Sequence, residues 1–175
     1  MPPAVTAAEE SRYAELQALA LDFARRGDTA ALAPMLRHGL PVNLADAKGN
    51  TLLMLASYNG QRETAQRLLE LGADVDRRND RGQTPLGGVA FKGDTALVEL
   101  LLAYGADLEA DNGGGMTPLM FAALFGRTAV VEQLQRAGAS LQRKSRWGLN
   151  ARWLVRVAPF VAGLRKVIPR RRLGG

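Results

Sequence analysis

The side chains that could perform catalysis are few in this sequence. His38 is the only histidine, there is no cysteine, and two carboxylate pairs could do acid–base work or bind Ca²⁺: Asp74/Asp76 and Asp107/Glu109. His38 has no evident partner that would make it a base, and its position after a helical stretch favours a place at a helix C-terminus. The carboxylate pairs recur with a repeated G-A-D loop, so we interpret them as structural. We therefore predict no enzyme, no metal and no cofactor.

Two glycine-rich segments also suggest chemistry. A loop of the type Asn112-Gly113-Gly114-Gly115 can cradle a phosphate, but no Lys-Ser/Thr of a P-loop follows it. We interpret it as the tip of a turn. The Gly87-Gly88 pair lies inside a predicted helix, where each glycine costs about 1 kcal/mol relative to alanine. Close helix packing is the leading explanation; a hinge, or the close approach of a partner backbone, is the alternative.

A repeat of 33 residues positions all of these groups. Landmark residues recur at that spacing without a gap: Thr51, Thr84 and Thr117; Gly60, Gly93 and Gly126; Gly72, Gly105 and Gly138. A fixed period of this length indicates stacked supersecondary units. Apolar residues at helical spacing, with Thr-Pro helix starts and glycine helix ends, predict two helices and a hairpin-like loop in each unit.

The pattern D-x-x-G-x-T-P-L-x-x-A-x-x-x-G, then L-L and G-A-D, resembles the ankyrin repeat over about residues 14 to 168. The histidine usual after T-P-L is replaced by Met54, Gly87 and Met120, so we expect a loss of helix-capping contacts that lowers stability. The resemblance implies an all-α ankyrin-repeat solenoid that binds another protein on its concave face. It does not identify that protein.

We divide the chain by this period. The expected parts are an N-terminal arm (1–12), a degraded N-terminal capping repeat (13–45), three ankyrin repeats (46–78, 79–111, 112–144), a degraded C-terminal capping repeat (145–168) and a basic tail (169–175). Within the arm, Thr6 and Glu9 have the spacing of a capping box, which predicts a helix start. Polar terminal repeats keep a stack soluble.

Composition adds weaker expectations. The chain lacks cysteine and a recognisable signal peptide, which suggests the cytoplasm, and its excess of arginine over lysine suggests a bacterial source. The net charge of +6 is unevenly distributed. All 17 acidic residues precede residue 142, whereas 10 of the 23 basic residues follow it. The basic character therefore belongs to the C-terminal part. We expect a monomer.

The resemblance places a partner on the exposed ends of the first helices and on the turn tips. The predicted partner-binding residues are Arg25, Arg26, Lys48, Tyr58, Asn59, Arg81, Phe91, Lys92, Met116, Leu124, Phe125 and Trp147. Aromatic and arginine side chains are frequent anchors of protein interfaces. The partner would offer apolar and acidic groups. The alternative is that these rings only pack against the neighbouring repeat.

A second function class rests on the acid-free C-terminal part. Its cations could hold nucleic acid or an anionic membrane surface, with a steep salt dependence: Arg152, Arg156, Arg165, Lys166, Arg170, Arg171 and Arg172. The alternative is a solvated cap. No recognised nucleic-acid motif accompanies these residues, and the apolar stretch from Trp153 to Ile168 is too short to span a bilayer.

Overall fold

The structure is a computed structural model that describes residues 6–157 of the 175. Its described regular elements are helices, and the predicted all-α solenoid is confirmed. They are α1 (Ala7–Arg26), α2 (Thr29–Arg37), α3 (Leu52–Tyr58), α4 (Arg62–Glu70), α5 (Pro85–Lys92), α6 (Thr95–Ala103), α7 (Pro118–Leu124) and α8 (Thr128–Arg136). Residues 151–157 are also helical.

The helices form two layers because each repeat packs only on its neighbours. The first helices contact one another in the order α1, α3, α5 and α7, and the second helices in the order α2, α4, α6 and α8. The core repeats with the sequence period. Equivalent leucines are fully buried in both layers: Leu53, Leu86 and Leu119 in the first, and Leu68, Leu101 and Leu134 in the second. Burial between neighbours therefore stabilises the stack.

The predicted helix starts are observed. Thr51, Thr84 and Thr117 are N-cap residues, and each hydroxyl accepts a hydrogen bond from the backbone N–H three residues on. Such a cap stabilises a helix by about 1 kcal/mol. The predicted turn and helix-end glycines have positive φ: Gly49, Gly72, Gly82, Gly105, Gly115, Gly138 and Gly148. Local chemistry therefore sets most helix boundaries.

Helix α1 differs from the other first helices in length. The capping box is present, with the Thr6 hydroxyl accepting from Glu9 and the Glu9 carboxylate accepting from the Thr6 backbone N–H. The helix then continues without interruption to Arg26. The boundary that we predicted after residue 12 therefore falls inside a helix, since the capping box starts the helix six residues earlier than the repeat period indicates.

The Gly87-Gly88 pair is explained by close packing. A Cβ atom at Gly87 would overlap with the carboxamide of Asn112, which comes from the next repeat. The Asn112 carbonyl oxygen accepts from the Thr84 backbone N–H at 2.7 Å and from its hydroxyl at 3.0 Å, and its amide donates to the Ala110 carbonyl at 2.9 Å. Asn112 thus supplies capping contacts to the repeat that has glycine instead of the usual histidine.

The side chain of Asn112 is available for this role because the loop before it is rearranged. Asp46 and Asn79 each use a side-chain oxygen to accept two backbone N–H groups of their own hairpin, two and four residues on. In the next repeat Asp111 takes that role, accepting from Gly113 and Gly115. The 33-residue period would assign it to Asn112, whose side chain turns inward instead.

Side-chain oxygens at one position of the repeat link the loops of neighbouring repeats. Asn43, Asp76 and Glu109 are 33 residues apart, and each accepts a backbone N–H from the following repeat, those of Asp74, Asp107 and Ser140 respectively. The distances lie between 2.7 and 3.1 Å. These hydrogen bonds fix the stacking of the loops. The structural interpretation of the two carboxylate pairs therefore accounts for their recurrence.

Asp76→Asn is expected to raise the melting temperature at pH 7. Burial, and then the nearby charges of Asp107 and Asp74, raise the pKa of Asp76, although the Asp107 N–H opposes the shift. A raised pKa means that folding disfavours the ionised form, so this contribution to stability is lost as pH rises through the folded-state pKa. Asparagine keeps the acceptor oxygen without the charge.

Thermal unfolding of wild type and Asp76→Asn between pH 3.5 and 7 measures this effect. The gain should shrink towards pH 3.8, the ordinary aspartate pKa, because the wild-type carboxyl is then becoming protonated. The matched control is Asn43→Asp, which places a carboxylate at the equivalent position and should lower the melting temperature at neutral pH. An Asp76→Asn variant that is less stable at pH 7 would contradict this account.

Candidate partner-binding face

A groove of about 550 Å³ runs between the hairpin loops and the first helices of three consecutive repeats. One side is formed by hairpin residues, which include Lys48, Asn50, Asp80, Arg81 and Gln83. The other is formed by α3, α5, α7 and the C-cap of α7, which contribute Leu55, Tyr58, Gly88, Phe91, Phe121 and Phe125. We call this feature the inner groove. Its volume lies within the range of ligand-binding clefts in proteins.

Aromatic rings line the helix side of the inner groove. The rings of Tyr58 and Phe91 are nearly parallel, with centroids 6.4 Å apart, and Phe125 meets Phe91 edge to face at 4.4 Å. Tyr58 remains 41% exposed. Gly88 lies beneath it, and a Cβ there would be 3.3 Å from the Tyr58 ring. The rings therefore support one another and still present a surface to a partner.

The rim of the inner groove is positively charged. Lys48 and Arg81 are exposed at successive hairpins, and neither forms an ion pair among the described residues. The Lys92 ammonium lies 4.8 Å from the centroid of the Tyr58 ring. Asp80 is the one carboxylate among the residues that line the inner groove. Two cations and one carboxylate line the inner groove, and this excess of positive charge favours an acidic ligand.

The hairpins that carry these cations are held by their own polar network. Partial burial opposes ionisation of Asp46, but hydrogen bonds from Asn50 and Lys48 outweigh it and lower the pKa of this carboxyl. The Asn79 amide donates to the Asn50 side chain at 2.9 Å, and the Asp80 N–H donates to the Lys48 carbonyl at 3.1 Å. Neighbouring tips are thereby joined, which limits the reorganisation needed on binding.

Other predicted site residues lie outside the inner groove. Arg25 and Arg26 are exposed but pair with Asp22 at 3.8 and 2.6 Å. Asn59 and Lys92 line a shallower depression next to Tyr58. Trp147 is 67% exposed, and its ring covers Gly114 of the preceding hairpin. Trp147 therefore extends the surface towards the C-terminal end without joining the aromatic row.

Two predicted positions need correction. Met116 is only 6% exposed and belongs to the core, so it cannot be a surface residue of the turn tip. The equivalent Asn50 and Gln83 bond polar neighbours, whereas Met116 packs inward. Leu124 is 40% exposed but does not line the inner groove. The ring that meets Phe91 is Phe125, the C-cap residue of α7.

The sequence interpretation missed Phe121 as a groove residue. It is 33 residues after Gly88 and 66 after Leu55, and all three line the inner groove. The same period, applied one helical turn before the Tyr58 position, could have identified it. Asn112 was also missed, because its inward orientation depends on the loop rearrangement and not on the period.

The candidate catalytic groups make structural contacts. The Nδ1 atom of His38 lies 2.7 Å from the Pro34 carbonyl at the C-terminal end of α2. Within residues 6–157, no cluster of three or more metal-ligating side chains is found. No described helix is long and apolar enough to cross a membrane. For the predicted anionic-surface site, Arg152 and Arg156 are exposed, while Arg165, Lys166, Arg170, Arg171 and Arg172 lie outside the described residues.

Comparison with known proteins agrees with this architecture. Residues 71–145 match a family model of ankyrin repeats in three copies, and residues 35–86 match a model of ankyrin repeats in many copies. The chain is also similar to a protein from Pseudomonas aeruginosa that is described as an ankyrin repeat protein. The two are 50% identical over 45 residues, which is 26% of either chain. The match thus spans about a quarter of the length of that relative.

Proposed function

The chain belongs to the ankyrin repeat family, whose members generally mediate protein–protein interactions without catalysis, and we propose that it binds a protein partner in the inner groove. The observation that carries the proposal is the row of mutually packed, partly exposed rings of Tyr58, Phe91 and Phe125 beneath a cationic rim. Such a row can bury an apolar anchor, and desolvated aromatic centres dominate binding free energy at protein interfaces.

The proposed ligand is a short segment with a bulky apolar side chain next to Asp or Glu. The apolar group fills the space between the rings, and the carboxylates approach Lys48 and Arg81. Charge at the rim increases the association rate and selects against basic segments, while the aromatic contacts supply most of the affinity. Ankyrin repeats on either side keep the groove in a fixed shape.

Selection from a displayed library of random peptides tests the proposal. Selection on the wild-type protein should enrich bulky apolar residues adjacent to Asp or Glu. The dissociation constants of the enriched peptides should rise at least about tenfold for Tyr58→Ala/Phe91→Ala/Phe125→Ala, since several anchor contacts are lost together. The matched control is Arg62→Ala/Glu63→Ala/Gln66→Ala in α4, one of the second helices. This variant should bind the peptides as the wild type does.

Equal affinity of the groove variant and the wild type would contradict the proposal. A chain ending at Pro169 distinguishes binding in the inner groove from the alternative, binding by the basic tail. If peptides or polyanions bind the wild type but not this truncated chain, and binding falls steeply between low and moderate salt, the basic tail is the binding site and the inner groove is not.

A further inference from the structure

Helix α1 is longer than packing within the repeat stack requires. It has 20 residues, whereas the other seven helices with defined bounds have seven to nine. Only Ala20 and Ala24 in α1 are buried. Three large apolar side chains of the same helix are exposed: Tyr13 is 48% exposed, Leu16 41% and Leu19 47%. An apolar row of this size is uncommon unless it is used.

The exposed leucines belong to a regular stripe along α1. Six positions alternate in spacing between three and four residues: Glu9, Arg12, Leu16, Leu19, Phe23 and Arg26. Side chains with this spacing lie on one face of a helix and form the contact line of two-helix coiled coils. We call these six positions the α1 seam. The seam has apolar residues in the middle and charged residues at both ends.

The α1 seam is complementary to itself when two copies run antiparallel. Its positions are symmetric about the midpoint between Leu16 and Leu19. Leu16 would then face Leu19 of the partner subunit, and Glu9 would face Arg26 of the partner subunit. Arg12 would lie against Phe23 of the partner subunit, a cation over an aromatic ring. In a parallel pair, by contrast, Glu9 and Arg12 would each face their own copies and repel.

We propose that a second copy of this chain covers the α1 seam, forming an antiparallel dimer about a two-fold axis. The contact is isologous, as in most homodimers, and antiparallel helix dipoles attract. Within one chain Arg26 lies 5.8 Å from the Phe23 ring and pairs with Asp22, so dimer formation exchanges these contacts of Arg26 for Glu9 of the partner subunit. None of the seam residues lines the inner groove, so the dimer presents two grooves. This inference departs from the monomer expected from the sequence.

Sedimentation velocity of the full chain tests the dimer. The wild type should sediment as a concentration-dependent dimer, and Leu16→Glu/Leu19→Glu should be a monomer with an unchanged helical circular dichroism spectrum. The matched control is Leu71→Glu/Tyr104→Glu, since these residues are exposed to a similar degree at the C-caps of α4 and α6, at 36% and 40%. It should remain dimeric. A wild-type monomer at every soluble concentration, or a dimeric Leu16→Glu/Leu19→Glu variant, overturns the proposal.

Disulfide crosslinking tests the orientation, since the natural chain has no cysteine. A mixture of Glu9→Cys and Arg26→Cys chains should form mixed disulfide dimers under mild oxidation. Glu9→Cys alone should not, because its two copies would lie about 25 Å apart along an antiparallel pair of helices. Rapid crosslinking of Glu9→Cys alone, without mixed dimers, would indicate a parallel arrangement and overturn the proposed register.

Discussion

The Gly87→Ala substitution is expected to lower the free energy of unfolding by about 2 kcal/mol, although alanine forms helix better than glycine by about 1 kcal/mol. The new Cβ would overlap with the buried carboxamide of Asn112. To relieve the overlap, the Asn112 side chain must leave Thr84. The Thr84 backbone N–H, which is buried, would then lose its partner, and an unpaired buried donor costs about 1 to 3 kcal/mol.

The neighbouring glycine provides the control. At Gly88 an added Cβ would meet the edge of the Tyr58 ring at 3.3 Å, and this ring is at the surface and can move. Gly88→Ala should therefore be neutral or stabilising by up to about 1 kcal/mol. Urea unfolding followed by circular dichroism measures both variants. If Gly87→Ala and Gly88→Ala have the same stability, the contact with Asn112 does not exclude a larger side chain at position 87.

A double-mutant cycle with Asn112→Ala isolates the contact. Asn112→Ala alone should lower stability, because Thr84 loses its acceptor. In the Asn112→Ala variant the carboxamide no longer fills the space next to Gly87. Adding Gly87→Ala should then change the free energy of unfolding little or should stabilise the helix. The expected coupling between the two sites is about 1 to 3 kcal/mol. Strictly additive effects would contradict the proposed substitution of Asn112 for the missing histidine.

Phe91→Ala is expected to weaken peptide binding to the inner groove more than any other single substitution, by about 2 kcal/mol or roughly 30-fold. Its ring is the member of the row that touches both others, stacking on Tyr58 and meeting Phe125 edge to face. Removal of this ring takes away its own contact area and the support that orients its two neighbours. Lys92→Ala removes a cation but leaves the three rings in place, so its effect on peptide affinity should be smaller.

Isothermal titration at two salt concentrations separates these contributions. The Phe91→Ala loss should be the same at both concentrations, because buried apolar contacts are not screened. The smaller loss from Lys48→Ala or Arg81→Ala should decrease as salt rises. Tyr104→Ala removes an exposed ring outside the inner groove and should not change the affinity. If Phe91→Ala binds like Tyr104→Ala, the aromatic row is not the anchor.

The repeat period predicted the fold well because most helix boundaries depend on local chemistry. Thr84 and Thr117 each cap a helix by accepting from the backbone N–H three residues on, and the buried leucines follow the same spacing. The inner groove was predicted in outline for the same reason, since Tyr58 and Phe91 hold equivalent positions. These features follow from one repeat copied along the chain.

Predictions from the 33-residue period were wrong where two repeats differ in loop geometry. Asp111 takes the role that the period gives to Asn112, and Met116 is buried where its equivalents bond polar neighbours. Phe125, and not Leu124 at the period-equivalent position, meets Phe91 in the aromatic row. Each difference depends on side-chain contacts between repeats. Such contacts are not visible in a pattern that compares one repeat with the next.

The length of α1 was partly predictable. Thr6 and Glu9 indicated the helix start, but the repeat period suggested a separate arm before residue 13. Local capping therefore outweighed the period at this position. The α1 seam was not recognised from the sequence, because its leucines could equally have faced the core until the structure showed Ala20 and Ala24 there instead.

The most direct test of the proposed function is NMR of aromatic side chains during titration with a selected peptide. The chain has only five phenylalanines, three tyrosines and two tryptophans, so each ring can be assigned by substitution. The account predicts shifts of the groove rings Tyr58, Phe91, Phe121 and Phe125, and constant signals from Tyr104. Shifts confined to Trp147 and Trp153, with the groove rings unchanged, would contradict it and would place the binding site at the basic C-terminal end.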